Sequence, residues 1–193
     1  MRLKSEKNWT TLLIKRRFEK FMKILLLPFI KLAEQKNKNA ENLFFSLPIY
    51  LQQLSDGFYI DKVLDPLIHE LNDTKKFEKH YLGLDVPFQK LRFSACAFLP
   101  AKSRKIILRK SEVDILYEIA SKAGISPQTF LEKFKISIKQ FYHSYDAAKI
   151  LFNRRAKLKK IFLVCWYSPK MMGIIAAARS QGIKVIDIQH GKQ

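Results

Sequence analysis

His190, near the end of the chain and flanked by Gln189 and Gly191, has the side chain needed for acid–base chemistry. These three residues are the candidate site. They directly follow a short apolar run that is typical of a β-strand. Imidazole is the side chain whose pKa lies closest to neutral pH, so His190 is suited to proton transfer, and Gly191 allows the backbone to turn tightly beside a ligand. A lone histidine in a basic chain is also often structural or simply exposed, and the other three histidines of the chain fit that description.

The elements that would position these residues form a strand–helix–strand pattern. A continuous apolar run at 161–167 predicts a strand buried on both faces, 169–181 predicts a helix ended by Gly182, and 184–188 predicts a second strand. Because a helix of about a dozen residues connects the two strands, we expect them to be parallel and adjacent, with a right-handed crossover. Ligands of open α/β sheets bind at the carboxyl ends of the strands, which is where His190 falls.

Further strands and helices are predicted upstream. Short apolar runs predict strands at 43–47, 81–86 and 91–99, and helical patterns occur at 59–71, from Ser111 to Gly124, and from Ser126 along an aromatic stripe to Phe152. The basic residues after this stripe, Arg154 and Arg155 among them, are predicted to form a solvated face. Together these patterns predict an α/β domain with a mainly parallel sheet flanked by helices.

The charge balance indicates an anionic partner. The 193 residues include 36 Lys and Arg against 17 Asp and Glu, a formal net charge of +19. Nucleic acid, an acidic membrane or a phosphorylated substrate would each be attracted. A hydrophobic content of 48% with 15 Phe argues for a folded protein. Cys96 and Cys165 lie in apolar runs without metal-ligand spacing, as buried, reduced thiols of a cytosolic protein do.

Residues 1–38 are rich in Lys and Arg and show helical periodicity. Their apolar side chains recur at three- and four-residue steps and form one face, whereas the opposite face is basic. Such a helix can lie in the headgroup layer of an anionic membrane. It can equally pack on the protein's own core with its basic face in solvent. In both cases the sequence predicts a helical extension at 1–38 and a folded domain at 39–193.

The end of the chain resembles a known group of enzymes. The stretch CWYSPKMMGIIAAARSQGIKVIDIQHGKQ, residues 165–193, is similar to the end of the N-terminal domain of bacterial surface-polysaccharide and lipopolysaccharide glycosyltransferases of the GT-B architecture. In those proteins a strand leads to a helix of small residues, a GI turn and a strand that closes in QHG. A similar HG occurs in teichoic-acid glycerophosphotransferases. The earlier stretch DGFYIDKVLDPLIHEL, residues 56–71, resembles an early helix of the same proteins more loosely.

The resemblance implies a Rossmann-like domain and a sugar transfer that needs no metal. His190 would be the catalytic base that deprotonates the acceptor hydroxyl, and Gly191, Gln189 and Ser168 would contact the substrate. GT-B enzymes hold the nucleotide-sugar donor on a second, C-terminal domain, which this sequence does not include, so no cofactor is expected here. We therefore expect the acceptor-side half of a transferase, as a fragment or as one part of a split enzyme completed by a second chain, and inactive alone.

Two functions from different classes follow. The first is an acceptor-side domain that works on a lipid-linked acceptor, cytoplasmic and peripheral on the inner face of the cytoplasmic membrane. The second is a non-catalytic basic module that binds an anionic membrane surface. Nucleic acid is the less favoured partner, because the sequence has no recognition motif and no aromatic–basic interleaving suited to base stacking.

Overall fold

A computed structural model describes residues 39–71, 76–82, 91, 93, 95–98, 105–165 and 167–188 of the chain. The strands are β1 Asn42–Ser46, β2 Leu51–Gln53, β3 Tyr59–Asp61, β4 Phe77–Tyr81, β5 Cys96–Ala97, β6 Lys160–Leu163 and β7 Lys184–Asp187. The helices are α1 Leu64–Glu70, α2 Lys110–Lys122, α3 Pro127–Asn153 and α4 Pro169–Arg179, with a 3-10 turn at Pro48–Tyr50. The helix predicted at 1–38 lies outside the described residues.

Five strands form one parallel sheet in the order β5-β4-β1-β6-β7. The chain runs outward from β1 to β4 and β5, returns through α2 and α3, and continues on the other side of β1 with β6 and β7. This is the strand order of a doubly wound α/β fold. The remaining strands, β2 and β3, form a separate antiparallel pair. The predicted α/β class with a mainly parallel sheet is confirmed.

The strand–helix–strand unit at the end of the described chain also forms as predicted. β6 and β7 are parallel neighbours, with Lys160 opposite Lys184 and Leu163 opposite Asp187. Gly182 follows α4 with a φ of 70°, the left-handed conformation in which helices commonly end. β6 is shorter than predicted, because the backbone leaves the strand conformation before Cys165.

Two apolar layers cover the sheet. Successive side chains of a strand point to opposite faces, so Leu43 and Phe45 of β1 belong to one layer and Phe44 to the other. The first layer is closed by α3 and α4, and the second by α1. In the second layer Phe44 stacks on Phe162 of β6 with ring centroids 4.5 Å apart. Helices therefore flank both faces, which explains why the interiors of β1 and β6 are apolar on both sides.

Several predicted bounds were wrong. The helix predicted at 59–71 begins as β3, and only Leu64–Glu70 is helical. β4 shares only Tyr81 with the strand predicted at 81–86, and residues 83–86 lie outside the described residues. Among the described residues of 91–99, only Cys96–Ala97 forms a strand. α2 starts one residue before Ser111, because the Glu112 side chain accepts a hydrogen bond from the backbone N–H of Arg109 at 2.7 Å and caps the helix there.

α3 is long enough to serve two purposes. Its 27 residues span about 40 Å. The C-terminal half packs on the sheet through the buried residues Ala148, Leu151 and Phe152. The N-terminal half faces α2 instead, where Phe134 and Ile138 lie beside Leu116. The aromatic stripe that was predicted to pack in the core therefore packs on the sheet only in its C-terminal part.

Candidate functional site

The strand order fixes where a ligand is expected to bind. Connections from β1 lead to one side of the sheet and β6 lies on the other side, so the carboxyl ends of β1 and β6 flank the switch point of the sheet. In doubly wound sheets the connections after these two strands lie on opposite faces, and ligands bind in the crevice between them. Ser46 ends β1, and the turn from Val164 to Ser168 joins β6 to α4. We call this region the switch crevice.

Cys165 lies in the turn that forms one wall of the switch crevice. Its φ of 62° falls in the left-handed region, which residues with a Cβ rarely adopt. Such a conformation costs about 1–3 kcal/mol and occurs preferentially at functional sites. The buried thiol hydrogen-bonds the hydroxyl of Tyr50, and the hydroxyl of Tyr167 donates to Sγ at 3.3 Å. Two tyrosines thereby hold the strained turn.

Both tyrosines keep their phenolic protons. Burial, followed by the contact with Cys165, raises the pKa of Tyr50 above its ordinary value of 10.0. The hydrogen bond to Cys165 is the main cause that raises the pKa of Tyr167, whose ring is exposed. At neutral pH the crevice therefore presents hydroxyl groups rather than phenolates. These groups can hydrogen-bond a polar ligand but cannot take up its proton.

Ser168 begins α4. Its Oγ accepts a hydrogen bond from the backbone N–H of Met171 at 3.2 Å, and Pro169 occupies the first turn of the helix. This is an N-cap, which satisfies one of the free N–H groups of the first turn. Ser168 thus lies at the carboxyl side of β6, as the predicted substrate contact requires, and its oxygen has a structural role there.

A buried polar cluster, composed of Ser46, Asp61, Asp65 and Lys79, lies beneath the crevice on the face covered by α1. Ser46 donates a hydrogen bond to Asp61, and Lys79 donates to Asp65 while its Nζ lies 3.9 Å from Asp61 Oδ2. Asp61 Oδ1 accepts two backbone N–H groups that precede and begin α1, each at 2.9 Å. All four side chains are almost completely buried. The cluster ties the end of β1 to α1 and β4.

Burial and charge oppose each other in this cluster. Burial raises the pKa of Asp65 above its ordinary value, although Lys79 pulls it down. Burial and then the neighbouring carboxylates of Asp61 and Asp65 raise the pKa of Tyr81, whose hydroxyl is buried nearby. Two carboxylates share one ammonium group here, so loss of Lys79 would leave both carboxylates without a buried counter-charge.

The opposite face of β4 carries a second buried ion pair. Arg155 binds Glu78 through two nitrogens, Nε at 2.7 Å and Nη2 at 2.6 Å, and Nη1 donates to the carbonyl of Leu151. His80 Nε2 lies 3.0 Å from Glu78 Oε1. Burial opposes ionisation of Glu78, but His80 and Arg155 together lower its pKa below the ordinary value of 4.5. The prediction that Arg155 lies on a solvated face was wrong.

Three of the four predicted site residues, Gln189, His190 and Gly191, lie outside the described residues. The described chain reaches Ile188, whose N–H donates to the carbonyl of Leu163 at the end of β6. Their predicted roles stay predictions. Ser168 is the one predicted site residue that the structure describes.

Several residues of the crevice and its support were missed by sequence reasoning. Cys165 was interpreted only as a buried thiol, and nothing local signals its left-handed backbone. Asp61 and Asp65 were assigned to one helix, whereas Asp61 ends β3 and precedes α1. Lys79 is central in a strand whose sequence, FEKHY, lacks the apolar pattern of a buried strand. The four-residue spacing of Asp61 and Asp65 is the sequence feature that could have indicated that these two carboxylates lie together.

Comparisons with family models, curated proteins and solved structures gave no match to this chain. In the described part of the chain, no helix combines the length and apolarity that a membrane crossing requires. Within the same residues, no three His, Cys, Asp or Glu side chains are grouped as a metal site would need.

Proposed function

We propose that this domain binds the acceptor substrate of a glycosyl transfer at the carboxyl edge of its parallel sheet. The observation that carries the proposal is the parallel unit β6–α4–β7, because the resemblance to surface-polysaccharide glycosyltransferases lies in this unit. Its first strand ends at the switch crevice, where ligands of open α/β sheets bind. The strained backbone of Cys165 supports the same location, since such conformations cluster at functional sites.

Each named residue has a role in the proposed reaction. His190 takes the proton from the acceptor hydroxyl as that oxygen attacks the anomeric carbon, and the nucleoside diphosphate leaves with the bonding electron pair. Gly191 and Gln189 line the acceptor beside His190, and Ser168 caps the helix that borders it. A separate domain binds the nucleotide-sugar donor. A lipid-linked acceptor would place the reaction at the cytoplasmic face of the membrane.

Equilibrium binding tests this proposal directly. We expect the purified chain to bind a short-chain prenyl-pyrophosphate sugar and to bind nucleotide-sugars at least tenfold more weakly in isothermal titration. His190→Ala should leave acceptor binding within about twofold, and should lower turnover with an added donor domain by about 10²–10⁴-fold, the range of general-base catalysis. Preferential binding of nucleotide-sugars, sugar transfer by the chain alone, or full turnover by His190→Ala would each contradict the proposal.

Anionic membrane binding is a second candidate function, and a specific observation favours it. Ile107, Ile115 and Ile136, on α2, α3 and the segment before them, are 57–75% exposed. The same region carries exposed lysines, among them Lys135 and Lys139. Exposed apolar side chains beside basic ones are typical of surfaces that lie in the headgroup layer of anionic membranes. Membrane binding requires no catalytic reaction, so a chain that binds no acceptor substrate could still bind a membrane.

A further inference from the structure

A second side of α4, beside the side that faces the core, also carries apolar residues. Its core side consists of Met171, Ile174, Ala177 and Ala178, all buried. A second row of side chains lies on a different side of the helix. Its members are spaced three and four residues apart, as residues on one helical face are: Met172, Ile175, Ala176 and Arg179. A helix with apolar residues on two sides is typically covered on both. Among the described residues, only the core side has a complete cover.

This second row borders a groove at the edge of the sheet. Met172, Ile175, Ala176 and Arg179 of α4, Val185 and Asp187 of β7, and Phe141 of α3 line a groove of about 600 Å³. β7 is the edge strand of the described sheet. Met172 is 44% exposed although its side chain is apolar. We call this surface the α4–β7 groove.

Opposite charges lie at the two ends of the α4–β7 groove. α4 connects two parallel strands and so runs antiparallel to β7. Arg179 ends α4 and Asp187 ends β7, which places them at opposite ends of the groove. Asp187 Oδ1 is shielded from solvent and has no hydrogen-bond partner among the described residues. The side chain of Arg179 is exposed and that of Asp187 is half-buried, so both contribute charge to the surface of the groove.

We propose that a second copy of this chain docks on the α4–β7 groove with two-fold symmetry. A two-fold axis across the groove packs the outer row of one α4 antiparallel on that of its partner. Arg179 of each chain then meets Asp187 of the other, and each Met172 enters the opposite groove. Isologous contacts need a self-complementary surface, and this groove is one, because it carries an apolar centre and one charge of each sign at its ends.

The net charge of the protein provides a distinguishing signature for this dimer. Two chains of formal charge +19 repel each other. Salt screens that repulsion, with a Debye length that falls from about 30 Å at 0.01 M to about 8 Å at 0.15 M. We therefore expect the dimer to become tighter as salt is raised over this range. Association bridged by bound nucleic acid would respond in the opposite direction.

Analytical ultracentrifugation of the nuclease-treated full chain tests the proposal. We expect a concentration-dependent dimer whose dissociation constant rises at least tenfold in Arg179→Asp and in Asp187→Lys. Combining the two substitutions restores opposite charges across the axis and should return the dissociation constant to within about threefold of the wild type. Met172→Glu should also disrupt the dimer, whereas Ile136→Glu, at an exposed position outside the groove, should not.

Circular dichroism checks that each variant folds. If a charge-swap variant fails to fold, Met172→Glu still tests the proposal, because the Met172 side chain is exposed and its replacement should not disturb the core. A chain that stays monomeric at every concentration would overturn the proposal. So would a dimer that none of the groove substitutions affects, or one that the double swap fails to restore although both single swaps disrupt it.

Discussion

Buried charge is divided between the two faces of one strand, β4. Glu78 points toward α3 and meets Arg155, while Lys79 points toward α1 and meets Asp65. Each pair joins β4 to a distant part of the chain and is almost fully shielded from solvent. Removing one member of such a pair is more damaging than the pair itself is stabilising, because the remaining charge stays buried. These residues therefore contribute to the stability of the sheet that carries the switch crevice.

The ion pair of Arg155 and Glu78 gives a prediction at this scale. Arg155→Met should lower the free energy of unfolding by about 3–5 kcal/mol at pH 7, the range for breaking a buried pair. Glu78 has a lowered pKa in the fold. Its ionic contribution is therefore present above its unfolded pKa and is lost as the pH falls through its folded value. Chemical denaturation from pH 7 to pH 3 should show the loss shrinking in acid, where Glu78 in the variant can be protonated.

A matched surface pair controls that measurement. Lys159 donates to Glu41 at 2.9 Å, and the Lys159 side chain is mostly exposed. Exposed pairs contribute little, so Lys159→Met should hardly change stability. Equal losses in Arg155→Met and Lys159→Met, or a loss in Arg155→Met that does not vary with pH, would show that burial of the Glu78 pair is not what matters.

At the scale of elements, α3 and α4 pack very close together. Gly173 of α4 lies so near α3 that an added Cβ would be 2.3 Å from the carbonyl oxygen of Phe141 and 3.0 Å from the backbone nitrogen of Tyr145. Only a residue without a side chain fits there. The approach fixes α4 against α3 and so sets where the turn at Cys165 and the cap at Ser168 can lie.

Gly173→Ala should therefore destabilise the protein, although alanine is the better helix former. Overpacking of this kind costs about 1–3 kcal/mol because backbone must move, and thermal unfolding measures it. Gly124→Ala is the comparison, since a Cβ there meets nothing within 4 Å and only its φ of 66° is unfavourable. An increase in stability for Gly173→Ala would mean that the two helices are farther apart than described.

At the scale of the whole molecule, positive charge and exposed apolar side chains occur together. The formal net charge is +19. Exposed isoleucines are frequent along α2 and α3 and in the segment before α2. Charge attracts an anionic surface from a distance, and apolar side chains strengthen contact once it is made. The charge should therefore act first, in attracting the surface, and the apolar side chains second, in holding it. Added salt should weaken the first contribution and not the second.

Vesicle sedimentation tests this combination. The full chain should bind vesicles of anionic phospholipid and should not bind zwitterionic vesicles. Its binding should weaken as salt is raised, because each Lys or Arg near the surface contributes about 1 kcal/mol of attraction that salt screens. The basic segment 1–38 is predicted to contribute, so the chain beginning at Asn39 should bind more weakly. Binding that is equal on both lipids, or independent of salt, would remove the membrane candidate.

Two isoleucines of equal exposure locate the membrane contact. Ile107, before α2, is 75% exposed, and Ile49, in the 3-10 turn, is 74% exposed. If the α2–α3 region contacts the bilayer, Ile107→Ser should weaken vesicle binding severalfold and Ile49→Ser should not. The reverse order would place the contact near the switch crevice instead.

The sequence by itself determined the elements whose signals are local. The β6–α4–β7 unit was predicted because both strands are short apolar runs separated by a helix with its own start and stop residues. The left-handed glycines Gly124 and Gly182 and the start of α3 after Ser126 were predicted for the same reason. Hydrophobic periodicity and capping act over a few residues, so they can be read without knowing what the element packs against.

Only the tertiary structure decided the strand order, the burial of charge and the strained turn. Arg155 and Glu78 are 77 residues apart in sequence, and Tyr50 and Cys165 are 115 apart. A lysine or an arginine looks solvent-exposed until a distant carboxylate is brought to it, which is why Lys79 and Arg155 were missed. The left-handed φ of Cys165 likewise depends on contacts from the far end of the domain, because no local residue favours it.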